Sequence, residues 1–330
     1  MHTIVFGSNG NIGRRLTQHL SARGLPWTGV TSGETDLRSA ESLRRRLADL
    51  EDRPVRAALL SFINKHVGNS RASFECNLDL VQTIMERLAV MDTRSLVFFS
   101  SVDVYGHQPE LPITECSAIR PMDWYALAKF VCERMLAFGP LGNRLTVFRL
   151  PGVYGAWDRP PNSVIGHFVD RLSRGEPVVI HGTGCTLRDY VHVDDICALT
   201  LRALDLMAPP GAGDEAAIQG ASDSERQGVS TAMGVFNVAT GCAHSINELV
   251  KMAMALARPG AAVHRLASQP DKHDLVFDPS LLRALSGMRA ARRARWPGRI
   301  RVRRPPLVLT APAGQSGLWP SACDPPSPAA

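Results

Sequence analysis

Ile4-Val5-Phe6-Gly7-Ser8-Asn9-Gly10-Asn11-Ile12-Gly13 is the stretch that decides the fold. A short apolar run of strand type ends at a glycine. Glycines follow at 7, 10 and 13, and Gly13 to Ala22 then has helical spacing. Glycine permits a tight turn, close approach of backbone to a pyrophosphate, and close packing of helix on strand. The helix N-terminus beyond the turn presents N–H groups and the positive end of its dipole. A glycine-rich turn alone is weak evidence for a nucleotide. After the first strand of a chain that alternates strands and helices it is much stronger. We therefore expect Gly7, Ser8, Asn9, Gly10, Asn11, Ile12 and Gly13 to cradle the phosphates of a dinucleotide.

The alternation continues. Strands are expected at Trp27 to Thr31, Arg56 to Phe62, Ser95 to Ser100 and Leu145 to Leu150. Helices are expected at Ala40 to Leu50, Leu78 to Val90 and Trp124 to Phe138. This order implies an α/β fold, a Rossmann-type doubly wound parallel sheet. The near-continuous apolar run Leu96 to Phe99 fits a strand covered on both faces. Residues 1–155 read as mainly the dinucleotide-binding core, and 156–280 as a smaller substrate lobe interleaved with the last core elements. From 281 the text becomes rich in Arg and Pro without a clean period, and little regular order is expected there. Ala208 to Ala232 lacks periodicity and reads as a solvent-exposed loop.

Bulk properties narrow the function. The 330 residues are 45% hydrophobic and 21% charged, ordinary for a chain that buries a core. No apolar run approaches the roughly 20 residues needed to span a bilayer. The chain runs at once into a strand, so no leader is expected and a cytoplasmic setting is. Seven scattered cysteines without a CxxC pair argue for reduced thiols and no metal site. The net charge of +6 is not a nucleic-acid signature. Nine arginines and one aspartate lie from Leu281 onward, which leaves the first 280 residues slightly acidic.

Chemistry enters with Tyr125-Ala126-Leu127-Ala128-Lys129, which places a tyrosine and a lysine one helical turn apart on one face. A free phenol ionises near about 10, too high for a base at neutral pH. A nearby ammonium stabilises the phenolate and lowers that value. Ser101 lies just past a core strand, where open α/β sheets collect ligands, and supplies a hydroxyl to share the substrate oxygen. A lone YxxxK is common by chance and would otherwise be a surface tyrosine on a helix.

The combination resembles the extended short-chain dehydrogenase/reductase family, in its NAD-dependent epimerase/dehydratase branch. The matching pieces are the glycine turn at 7–13, Ser100-Ser-Val-Asp-Val-Tyr-Gly106, Thr114-Glu115 before Pro121, Tyr125-x-x-x-Lys129 with Glu133, and Arg149-Leu-Pro-Gly-Val-Tyr-Gly155. Gly182-Thr-Gly-Cys-Thr-Leu-Arg-Asp-Tyr-Val-His-Val-Asp194 and Phe236-Asn-Val-Ala-Thr-Gly241 complete the set, in family order over about 240 residues. The resemblance implies that Tyr125 is the acid/base, that Lys129 holds the cofactor ribose, and that Ser101 orients the substrate oxygen. It implies further cofactor contacts at Asp36, Leu37, Asn77, Pro151 and Val153. Substrate contacts follow at Ser101, Asp103, Tyr125 and Arg188, the arginine being suited to a diphosphate. The implied cofactor is NAD, with NADP left open, because no acid stands at the end of the second strand and only Glu34 and Asp36 are near. The implied partners are a nucleotide sugar and a second copy of the chain, joined through helices that include 124–138; no nucleic acid and no membrane are expected.

The match also fails in places. Leu60-Ser61-Phe62-Ile63-Asn64-Lys65-His66 replaces the family's His-x-Ala-Ala, Gly152 replaces an asparagine, and the final helix of the family gives way to the Arg/Pro-rich text. We regard that ending as altered, for example by a frame shift. Dehydratases of the family carry Thr-Asp-Glu where this chain has Ser101, Val102 and Asp103, so dehydration is disfavoured. The expectation is a nucleotide-sugar epimerase working at C4 through a transient keto sugar. The alternatives are a reductase of a nucleotide-linked 4-keto sugar and an inactive nucleotide-binding relative.

Overall fold

Six parallel strands carry the molecule: β1 (His2–Phe6), β2 (Trp27–Val30), β3 (Val55–Leu59), β4 (Thr93–Ser101), β5 (Leu145–Leu150) and a later strand, β10 (Gly234–Asn237). They are ordered β10-β5-β4-β3-β1-β2. This computed structural model describes residues 1–107, 109–155, 163–206, 234–255, 262–266, 273–286, 303–304 and 307–308. Chain order reverses between β1 and β3, and a crevice at the carboxyl ends of the strands follows from that reversal. The expectation of a doubly wound parallel sheet is met.

Successive side chains of each strand point to opposite faces. Ile4 and Phe6 of β1, Leu59 of β3 and Phe98 of β4 therefore join one buried cluster. Helices α2 (Ala40–Arg46), α3 (Arg71–Ala89) and α4 (Trp124–Phe138) cover it. Val5, Ala58, Val97 and Phe99 join the other cluster, under α1 (Asn11–Ala22) and α6 (Val193–Leu206).

Helix boundaries follow their caps. Helix α4 starts where Asp123 accepts from the Ala126 amide at 2.7 Å. Its predicted span, Trp124 to Phe138, is the observed one. Helix α3 begins at Arg71, earlier than the predicted Leu78, because Ser70 and Ser73 cap each other reciprocally. The helix expected from Ala40 to Leu50 ends at Arg46, and a separate 3-10 turn covers Ala48–Leu50. Strand β3 stops at Leu59, so Phe62 lies in a loop rather than in the expected strand.

Beyond β5 the chain builds the second wall of the crevice. It uses β6 (Gly152–Tyr154), α5 (Val164–Ser173), β7 (Val178–His181), β8 (Leu187–Arg188) and β9 (Tyr190–His192). After β10 come β11 (His244–Ser245), α7 (Ile246–Ala255), β12 (Val263–Leu266) and α8 (Ser280–Ser286). Helix α8 occupies the first residues of the expected irregular tail. The rest of that tail, apart from a short pairing of Arg303–Arg304 with Leu307–Val308, lies outside the described residues. The expected loop from Ala208 to Ala232 lies outside them too. No described helix is long and apolar enough to cross a membrane.

Candidate active site

A cavity of about 1190 Å³ runs from the first glycine turn, past the ends of β4 and β5, to the β6–β9 wall. Gly7, Gly10, Asn11, Ile12 and Gly13 form one end, and Pro151 and Val153 the middle. Ser101, Asp103, Tyr125, Lys129 and Arg188 line the rest. Residues far apart in sequence thus converge on one space.

The turn fits a dinucleotide. Gly7 has φ +84, and a Cβ at Gly13 would lie 2.1 Å from the Gly7 carbonyl oxygen. No side chain caps α1 at Gly10, so the helix N-terminus is directed at the cavity. Ser8 and Asn9 lie within the turn but do not line the cavity. Asp36 sits on a separate shallow surface with Arg38 and Asp79. Leu37 is buried in the core rather than facing the cavity. Asn77 is buried one layer back. Its Oδ1 accepts from the Ile63 amide at 2.7 Å, so it holds the loop after β3.

Tyr125 opens α4, where its amide donates to Asn69 Oδ1 at 3.0 Å. Burial, and next the Asp103 carboxylate, push its hydroxyl above the usual phenol range, while a hydrogen bond with Ser101 works the other way. Ser101 Oγ also accepts from the Asp103 amide at 3.2 Å, capping the turn after β4. One helical turn from Tyr125, Lys129 Nζ donates to the Phe99 carbonyl at 2.6 Å. It also stands 3.6 Å from the Phe62 ring centroid and 5.8 Å from that of Tyr125. Complete burial lowers its ammonium to about 7. The aromatic faces and the carbonyl partly offset the cost of burying that charge.

A buried network underlies the pair. Glu133 takes a two-pronged contact from Arg149, Nη2 to Oε2 at 2.7 Å and Nε to Oε1 at 3.1 Å. Ser100 Oγ donates to Glu133 at 2.5 Å, and Arg149 Nη1 donates to the Tyr105 hydroxyl at 2.8 Å. Tyr105 in turn donates to Asn237 Oδ1 at 2.7 Å. This ties β4, α4, β5 and β10 together directly beneath the site.

On the far wall, Asp189 locks two motifs of the sequence together. Its carboxylate accepts from the Thr240 hydroxyl at 2.8 Å and the Gly241 amide at 2.8 Å. Arg188 beside it is partly buried and faces the cavity. The glycine at 152 has a physical reason: a Cβ there would lie 2.6 Å from the Tyr190 ring, which occupies that space.

Sequence reasoning missed Phe62, Lys65 and Asn69, which reach the tyrosine and lysine from the loop after β3. Lys65 Nζ contacts Asp103 Oδ2 at 2.5 Å. The replacement of small residues at 60–66 was the available signal.

Comparison with known proteins agrees with this geometry. The model of the NAD dependent epimerase/dehydratase family matches residues 3–215. A protein of Rhizobium meliloti (strain 1021) described as a probable UDP-glucuronate 4-epimerase is 26% identical, covering 88% of this chain and 92% of the relative. The crystal structure of the UDP-glucose 4-epimerase of Thermus thermophilus, complexed with NAD, superposes with a TM-score of 0.69. It is 24% identical, over 88% of this chain and 94% of that one. A C. jejuni GDP-6-OMe-4-keto-L-xylo-heptose reductase superposes with a TM-score of 0.68 at 18% identity, over 86% and 91% of the two chains.

Proposed function

The chain belongs to the NAD dependent epimerase/dehydratase family, and we propose that it interconverts a nucleotide sugar and its C4 epimer through a transient keto sugar. The observation that carries this reading is the shared cavity. The glycine turn, the Ser101–Tyr125–Lys129 group and Arg188 all open onto it.

The cofactor of this reading is NAD, held at the glycine turn and beside Pro151 and Val153. Once bound there, it supplies the acceptor and donor for the hydrogen at C4. The chain's own residues handle the proton and the orientation. Tyr125 takes the proton of the C4 hydroxyl and later returns it. Ser101 bonds the same oxygen and fixes its direction. Lys129 lies one turn below with its ammonium held against Phe99 and Phe62, and in this scheme binds the cofactor ribose. Arg188 grips the diphosphate, leaving the sugar free to turn between the two half-reactions. Residues 1–155 bind the dinucleotide in this scheme, and 156–280 the sugar nucleotide. The active unit in this reading is a homodimer packed through helices that include α4, on which the aromatic side chains of Trp124 and Phe138 stand exposed on the single chain.

Incubating the purified protein with UDP-glucose or UDP-glucuronate, with no added cofactor, tests the reading. Proton NMR should show the C4 epimer accumulating to equilibrium. Absence of any epimer from a panel of nucleotide sugars would refute it.

One observation favours a second reading. The end of β2 is followed by Thr31, not an acid, which loosens the preference for NAD over NADP. A 4-keto-sugar reductase would use the same residues and would consume NADPH mole for mole.

A further inference from the structure

The loop after β3 brings a second cation to the tyrosine. Lys65 Nζ stands 2.5 Å from Asp103 Oδ2 and 5.9 Å from the Tyr125 ring centroid. Asp103 is held in place because its own amide donates at 3.2 Å to the Oγ of Ser101, the hydroxyl that hydrogen-bonds the tyrosine. The Asp103 carboxylate opposes formation of the phenolate, and even with Lys65 against it, it is, next to burial, the largest influence raising Tyr125 above the usual phenol range. Lys129 is poorly placed to cancel it. Its charge is spent on the Phe99 carbonyl and the Phe62 ring, and burial lowers it to about 7.

We propose that Lys65 is a positioning residue for proton transfer: by pairing with Asp103 it offsets part of the carboxylate's charge and limits how far that charge opposes the phenolate of Tyr125. This rests on Tyr125 being the acid/base of the reaction proposed above. The loop segment that departs most from the family pattern thereby contributes to the chemistry instead of impairing it. Other charged groups bear on the same point. Asp123 acts on Tyr125 from the start of α4, and Arg188 couples to Asp103 from the β8 wall. His66, His107 and His273 line the same cavity. An opposite charge within about 4–6 Å moves a titration by roughly 1–3 units. Solvent screens part of this, because the Lys65 side chain remains 37% exposed.

The test titrates the tyrosinate absorbance of NAD-loaded protein, subtracting the same titration of Tyr125→Phe. The subtraction removes the other tyrosines and the histidines. A lysine ammonium ordinarily loses its proton near about 10.4, so the charge is isolated by comparing Lys65→Arg, which stays cationic throughout the titration, with Lys65→Met. Lys65→Arg should titrate Tyr125 about one unit below Lys65→Met. The double variant Lys65→Met/Asp103→Asn should titrate below Lys65→Met, since the carboxylate to be offset is gone. Equal midpoints in Lys65→Arg and Lys65→Met, or a double variant that stays as high as Lys65→Met, overturn the proposal. No sugar substrate is present, so the result is independent of whether epimerisation is the true reaction.

Discussion

Two loops leave the carboxyl ends of neighbouring strands and reach the same cavity, but they are built differently. The turn after β1 is closed by contacts within a few residues. The Gly10 amide donates to the Gly7 carbonyl at 3.1 Å, and Gly13 packs against the same oxygen. The loop after β3 is closed by contacts across the chain. Lys65 reaches Asp103, 38 residues on, and Asn69 reaches the Tyr125 amide, 56 residues on. The first is a local motif whose glycines state their purpose. The second is a set of side chains whose purpose depends on what the fold sets opposite them. Phosphate binding can be encoded in backbone alone, whereas tuning a proton needs charges brought from elsewhere.

The largest test of this contrast strikes the point both loops serve. Tyr125→Phe should reduce turnover by about 10²–10⁴-fold, with the folded protein and its cofactor retained, as circular dichroism and absorbance would report.

Next in size is Lys129→Met. The folded ammonium sits near 7 against an ordinary value of 10.5. The unfolded chain therefore binds the extra proton between these values, and stability rises with pH across that window. Below about 7 the cost of keeping the buried charge is present in full, on the order of a few kcal/mol. Lys129→Met should therefore melt several degrees above wild type at pH 6 when cofactor is stripped, with the gap closing by pH 10. Calorimetry at the two pH values checks this. Turnover should also fall, by less than in Tyr125→Phe.

Gly13→Ala probes the local loop. Its methyl meets backbone 2.1 Å away, which only a shift of the turn can relieve. Overpacking of this kind costs about 1–3 kcal/mol. The loss should appear both in thermal melting and in NAD affinity measured by calorimetric titration.

Phe62→Leu probes the distant loop and should have the smallest effect. It removes the ring face 3.6 Å from Lys129 Nζ and the edge-on packing against Tyr125 at 5.8 Å. A cation–π contact of this kind is worth about 0.5–2 kcal/mol. The expected outcome is a shift of the pH–rate profile with little change in NAD affinity, opposite in pattern to Gly13→Ala.

The same contrast governs what is legible without the structure. The alternation of strands and helices, the glycine turn and the YxxxK spacing are short-range patterns, and the β1–α1 turn and α4 stand where they imply. Arg188 is legible through its motif, and the structure sets it on the cavity wall. Leu37 reads as a cofactor contact, yet its side chain enters the core, because position along the chain does not reveal which way a loop residue turns. The early start of α3 is hidden because Ser70 pairs with Ser73 rather than with the usual glutamate. Phe62 and Lys65 are illegible for a deeper reason: their partners at 103, 125 and 129 become neighbours only when β3, β4 and α4 are assembled.

The most direct test of the central claim follows the hydrogen at C4. A nucleotide sugar carrying deuterium at C4 should give an epimer that keeps the deuterium at C4 in ordinary water, with no external cofactor consumed. Loss of the label to solvent, or its appearance in added nicotinamide, would contradict a reaction in which that hydrogen leaves and returns within one closed site.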